Sequence, residues 1–336
     1  MVVGASRLRG GDGKAAVYSC AGVSTETPQA AEASSQARSR RRRWITTIVV
    51  MLVVGALGFA LARGWDKVSQ YDWGLEPGWL VLGAILFIVA YAMNGLAYCI
   101  AVEWLSPVHP NRRVALSIWA RSLLARYIPG NVMMVVGRAV MAHDEGVPKR
   151  ATLAATIYEQ ALALGIGAVA AVGFLAGYGN PGDSRLLWLL LVVPVVLVCL
   201  HPVPFRKLSS WVLRRTGRPE LETLFTGRQV IRLLVCYAAG TAVLLVGVWA
   251  LLRSAAGPGI GGVVEIGLAF MFAFVISFLA FIVPSGIGVR DGILAVALAR
   301  HVPGEVALAL SFGLRFVMTL LELVFVGLAV FVGRAR

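Results

Sequence analysis

Eight charged side chains lie inside otherwise apolar stretches of this sequence: Arg121, Arg126, Arg138, Glu159, Arg290, Asp291, Arg315 and Glu322. A charge within hydrocarbon costs about 2.5–3.5 kcal/mol even on the most lenient scale, so each calls for a chemical reason. The guanidinium fork matches phosphate and carboxylate in a bidentate manner. Arg138, Arg290 and Arg315 are therefore candidates to hold a phosphate, while Glu159 and Asp291 could orient them or receive a cationic headgroup. Glu159 stands eight residues into its apolar block, about 12 Å deep by helix rise. Arg315 and Glu322, seven apart, share one helix face roughly 10 Å apart. The alternative is architectural: Arg–Glu pairs that hold helices together, with Arg121 and Arg126 reaching back to the interface.

Two apolar stretches that carry these residues are interrupted. Residues 114–142 contain Ile128-Pro129-Gly130-Asn131, and residues 263–300 contain Val283-Pro284-Ser285-Gly286-Ile287-Gly288. Proline removes a helical hydrogen bond and glycine loosens the backbone, so both stretches should break there. Broken ends expose free N–H groups that favour anions. Pro129, Gly130, Gly286 and Gly288 thus join the candidate substrate site, since Arg138 follows the first break and Arg290-Asp291 the second. Paired interruptions in two halves of a membrane protein point to a midplane transport site.

Six further blocks, 44–62, 79–102, 151–176, 186–203, 231–252 and 305–332, have the length of simple spans. The expected fold is an all-α integral membrane protein of about eight hydrophobic segments, six spans plus two broken hairpins in an inverted-repeat arrangement. Eight ordinary spans, two of them kinked at proline, is the plainer alternative. Composition agrees with a membrane class: 58% of the 336 residues are hydrophobic and 14% charged, and Ile45 to Ala62 has no charge at all. A soluble domain carries about 25% charged residues.

The formal net charge of +14 does not indicate nucleic acid. Basic residues gather in the tail (Arg38, Arg40 to Arg43) and in the loop 204–230, without an aromatic platform. Such clusters beside spans follow the positive-inside rule and attract anionic lipids. Cys20, Cys99, Cys199 and Cys236 are far apart, and His109, His143, His201 and His301 are isolated, so no metal or other cofactor is expected.

Residues 1–43 read as a disordered basic cytoplasmic tail, and 44–336 as the membrane domain. A cleaved signal peptide is not expected, because the first apolar block is as long as a full span. With the tail inside, loop charge and parity put 63–78, 177–185 and 253–262 outside, and 103–113, 143–150 and 204–230 inside. Both termini are then cytoplasmic, and the hairpins enter from opposite faces. Phe205, Leu208, Trp211 and Val212 suit a short interfacial helix within the basic loop, a solvated loop being the alternative.

The segments ARYIPGNVMMVVGRAVMAHDEGVPKRATLAATIYEQALAL, FIVPSGIGVRDGILAVAL and LRFVMTLLELV resemble the lysylphosphatidylglycerol synthetase transmembrane, or flippase-like, family. Tyr127, Pro129, Gly130, Arg138, Glu159, Pro284, Gly286, Gly288, Arg290 and Arg315 fit its pattern. Gln160 stands where Arg is usual, Ser285 interrupts the glycine run, and Asp291 replaces Glu. The resemblance covers nearly everything after the tail but only the family's membrane half, without its soluble aminoacyl-transferase domain. It implies movement of an anionic or polyprenyl-phosphate-linked lipid between leaflets of the plasma membrane rather than lysyl-lipid synthesis. The expected partners are that lipid, anionic membrane lipids and an enzyme of lipid or cell-envelope metabolism. A membrane glycosyltransferase or accessory subunit is the main alternative, with Asp66, Asp72 and Glu76 as outer carboxylates, and an ion transporter or scaffold is a third. Whether the chain is an enzyme stays open at this point.

Overall fold

A computed structural model describes residues 65–125, 132–178, 225–279 and 288–334. Among them the elements are a short helix α1 (Trp65–Ser69), α2 (Pro77–Leu105), α3 (Arg112–Leu124), α4 (Val132–Asp144), α5 (Lys149–Tyr178), α6 (Gly227–Ala256), α7 (Val263–Leu279), α8 (Val289–Leu298) and α9 (Gly304–Arg334). A 3₁₀ turn, Pro258–Ile260, joins α6 to α7. Four helices, α2, α5, α6 and α9, are long and apolar enough to cross a membrane. The protein is accordingly an all-α membrane protein. Outward-facing Leu80, Ile85, Val89, Val169, Ile231, Val235, Phe316, Leu323 and Phe331 are exposed, as a lipid-bathed surface requires.

The expected spans 79–102, 151–176, 231–252 and 305–332 fall within these four helices. The interrupted stretches become helix pairs, α3 with α4 and α7 with α8. The expected spans 44–62 and 186–203, the tail, Arg126, Tyr127, Pro129, Gly130, Pro284, Ser285 and Gly286 lie outside the described residues, as does most of the loop 204–230. That loop ends earlier than expected. Thr226 caps α6 by accepting from the Gln229 N–H, and the Gln229 side chain accepts from the Thr226 N–H, which draws Gly227–Val230 into the helix.

The centre is the pair α2 and α6, which run antiparallel: Gly83 meets Gly247 and Leu251, whereas Asn94 meets Gly240. A Cβ on Gly83 would sit 2.8 Å from Leu251 Cγ, and one on Gly247 would sit 3.2 Å from the Gly83 carbonyl oxygen. Only glycines admit so close a crossing, the packing device typical of membrane helices. Around this pair two sets repeat one order: α2 to α5 with 29, 13, 13 and 30 residues, and α6 to α9 with 30, 17, 10 and 31. Neighbouring helices pack within each set. Across the sets α3 lies on α9, and α7 lies on α5. Each pairing in one set thus has its counterpart in the other.

Two buried cores follow. One surrounds Tyr98, Trp119, Tyr158, Tyr237 and Phe325, the other Phe87, Phe270, Leu294, Leu298 and Leu310.

Candidate functional site

Arg138 sits on α4 with 0% exposure, so its charge must be met entirely within the protein. Its Nε donates to Ser122 Oγ on α3 at 2.8 Å, and Nη1 donates to Thr156 Oγ1 on α5 at 3.4 Å. Nη1 also forms an ion pair with the buried Glu159 carboxylate. The other Glu159 oxygen accepts from Trp119 Nε1 at 2.8 Å. The guanidinium lies 4.6 Å from the centre of the Tyr98 ring on α2, within cation–π range. Local helix geometry supplies the partners in pairs: Trp119 and Ser122 are three apart on α3, and Thr156 and Glu159 three apart on α5. Nη2 of Arg138 and the hydroxyl of Tyr237 have no hydrogen-bond partner among the described residues.

The second centre joins α7, α8 and α9. Gly288, at φ 85°, precedes α8 in a conformation that favours glycine, and its N–H donates to Asp291 Oδ2 at 3.0 Å. The same oxygen accepts from Arg315 Nη1 of α9 at 2.8 Å. Arg290, in the first turn of α8, lies 4.3 Å above the Phe270 ring of α7, and its Nη2 is 3.6 Å from Met318 Sδ. The Arg315 side chain is 20% exposed and Asp291 3%, so this pair opens outward on its basic side. Glu322, buried at 2%, continues the inward face of α9 two turns beyond Arg315.

The candidates expected from sequence therefore divide into two groups. Arg138 joins Glu159, whereas Arg290, Arg315, Asp291 and Gly288 stand together. The break that should supply free N–H groups lies outside the described residues in the first hairpin. Arg138 is the seventh residue of α4, whereas Arg290 and Asp291 are in the first turn of α8. Sequence reasoning missed Tyr98, Trp119, Ser122 and Thr156. The available signal was polar residues at spacing three on α3 and α5, a pattern any buried helix could carry.

Ion pairs also mark the helix ends. Near the α1 end, Lys67 meets Glu305 at 2.7 Å and Arg253 meets Glu76 at 3.2 Å, and the His301 ring lies beside Glu265, Nε2 to Oε1 3.1 Å. Of the outer carboxylates considered for sugar transfer, Glu76 is thus engaged. At the other end Glu103 binds Arg112 through both oxygens, at 2.7 and 3.0 Å, and this hydrogen bonding raises the Arg112 pKa above its ordinary value. The chain matches no family model and no curated protein.

Proposed function

We propose that the protein is a flippase-like translocase that moves an anionic or polyprenyl-phosphate-linked lipid between the leaflets of the plasma membrane. The observation that carries this reading is the repeated placement of a charged pair between a short helix and the long helix that follows it. Arg138 pairs with Glu159 across α4 and α5, and Asp291 with Arg315 across α8 and α9. Two sets so related around an antiparallel central pair form an inverted repeat, the architecture of many alternating-access transporters.

Because α2 and α6 are antiparallel, their C-terminal ends lie at opposite ends of the bundle. The α3–α4 and α7–α8 hairpins therefore enter from opposite sides. Arg112, Arg113, Lys149, Arg150, Arg228, Arg232 and Arg334 outnumber Glu103, Asp144 and Glu145 at one end, whereas Asp66, Asp72, Glu76, Glu265 and Glu305 outnumber Lys67, Arg253 and Arg300 at the other. The positive-inside rule makes the basic end cytoplasmic, with both termini there. Arg290 and Arg315 are the phosphate-holding groups of this reading, Asp291 orients Arg315, and Arg138–Glu159 fixes the opposing hairpin. Arg138, Glu159, Arg290 and Arg315, though not Asp291, are also the residues by which the chain resembles the lysylphosphatidylglycerol synthetase transmembrane family.

The test is leaflet exchange of labelled phospholipids and polyprenyl-phosphate lipids by the purified chain in liposomes. Wild-type exchange that falls in Arg290→Lys and Arg315→Lys is the expected outcome. Absence of exchange across the panel, with product formed from a polyprenyl-phosphate sugar, would replace transport by glycosyl transfer. Cysteine labelling that found Asp72 on the cytoplasmic side would overturn the orientation.

A further inference from the structure

We propose that the outward seam between α3 and α9 binds the phosphate headgroup of an anionic lipid through Arg113, Arg121 and Arg334. This site is separate from the interior pairs and does not depend on transport.

The helix α3 is buried on most sides. Beyond its first residue, its exposed positions are Arg113, Arg121 and Leu124, which with Ser117 form one face at spacing four, four and three. Ser117 is covered on that face by α9, where a Cβ on Gly333 would lie 2.7 Å from Ser117 Cβ and 3.2 Å from the Arg113 carbonyl oxygen. Glycine lets the end of α9 lie directly between the two arginines, and Arg334 follows it. Arg121 folds back along the helix, its Nε 3.3 Å from the Ser117 carbonyl and Nη2 3.4 Å from Ser117 Oγ. That posture carries its guanidinium toward Arg113, to within about one helical turn of it.

Charge and depth then point to the occupant. Among the described residues, none of these three arginines pairs with a carboxylate, whereas the neighbouring Arg112 is taken by Glu103. A positive-inside charge belongs in a loop, yet Arg121 is nine residues into α3. It lies two residues beyond Trp119, which packs against Tyr91 and Gly95 near the middle of α2. Its side chain folds back to bring the guanidinium beside Ser117 and the end of α9, where an exposed charge is best met by an anion or water at the headgroup level. Leu124 is exposed one turn beyond Arg121 on the same face, and Leu328, Phe331 and Val332 make the remaining sides of α9 apolar and exposed. Phosphate on the forks and acyl chains along these side chains satisfy both requirements, which a free anion does not.

Native mass spectrometry of the full chain in detergent, titrated with phosphatidylglycerol or phosphatidylcholine, tests the site. The variant carrying Arg113→Gln, Arg121→Gln and Arg334→Gln should weaken phosphatidylglycerol binding about tenfold or more and leave phosphatidylcholine unchanged. A control carrying Lys149→Gln, Arg228→Gln and Arg232→Gln should stay within about twofold of wild type. Undiminished binding in the first variant overturns the proposal, and an equal loss in the control overturns it in favour of a diffuse basic field. Complete displacement by millimolar inorganic phosphate would instead mark a soluble-anion site. Should the triple variant unfold, Arg121→Lys decides: a loss of about threefold or more supports the site, and none refutes it.

Discussion

The Arg138–Glu159 centre and the Asp291–Arg315 centre occupy matching places in the two helix sets but handle charge in opposite ways. In the first, the short helix brings the base and the long helix the acid, and the guanidinium is fully enclosed by Ser122, Thr156, Glu159 and the Tyr98 ring. In the second, the short helix brings the acid, and the guanidinium of the long helix keeps one-fifth of its surface open. Burial of one pair makes it a strut, because a desolvated charge cannot be released without leaving its partner stranded. Partial exposure of the other leaves the Arg315 side chain within reach of solvent, as the proposed phosphate role requires. Matching positions in a repeat can thus divide labour between holding and binding.

The largest effect that would break this contrast concerns Glu159. Glu159→Ala strands the buried Arg138, so stability should fall by about 3–5 kcal/mol, read from denaturant or thermal unfolding in detergent. Asp291→Asn should cost clearly less, because Arg315 can turn to water. Equal losses would abolish the distinction. Next comes activity: Arg290→Lys and Arg315→Lys should each lower lipid exchange about tenfold, ~1.4 kcal/mol, while unfolding midpoints stay near wild type. Arg138→Lys should do the reverse and lose stability first.

A smaller effect sharpens the second centre. Gly288→Ala forces a side chain into a left-handed conformation, which should cost about 1–2 kcal/mol and disturb the Asp291 carboxylate that its N–H holds. Smallest is the peripheral pair Lys67–Glu305, whose lysine side chain is 65% exposed. Its removal by Lys67→Ala should change stability by about 0–1 kcal/mol, a baseline against which the interior pairs are measured.

Hydropathy made the four long helices legible because a bilayer demands an unbroken apolar run of nearly fixed length. Parity and loop charge led to two hairpins entering from opposite faces, and the antiparallel α2–α6 pair supports the same reading. Which arginine would find which partner was not legible. Ser122 and Arg138 are sixteen residues apart across a break, so their meeting depends on hairpin register, which no periodicity encodes. The interior arginines therefore looked alike in sequence, as three equivalent phosphate ligands. The capping of α6 by Thr226 and Gln229 was readable from type and spacing, but the run of basic residues around it drew the boundary four residues late.

The interleaving of the two helix sets has a consequence for biogenesis. Arg138 reaches its neutralising partner only 21 residues later in the chain, so the ribosome need deliver no more than α5 before that charge is safe in the bilayer. The outward side of α3 is different: its cover, α9, comes last in chain order among the described helices. During synthesis Ser117 and its flanking arginines must wait beside the insertion machinery, uncovered, until α9 arrives. A chain stalled before α9 would therefore carry a finished ion pair and an unfinished wall, and cellular quality control would meet it at α3.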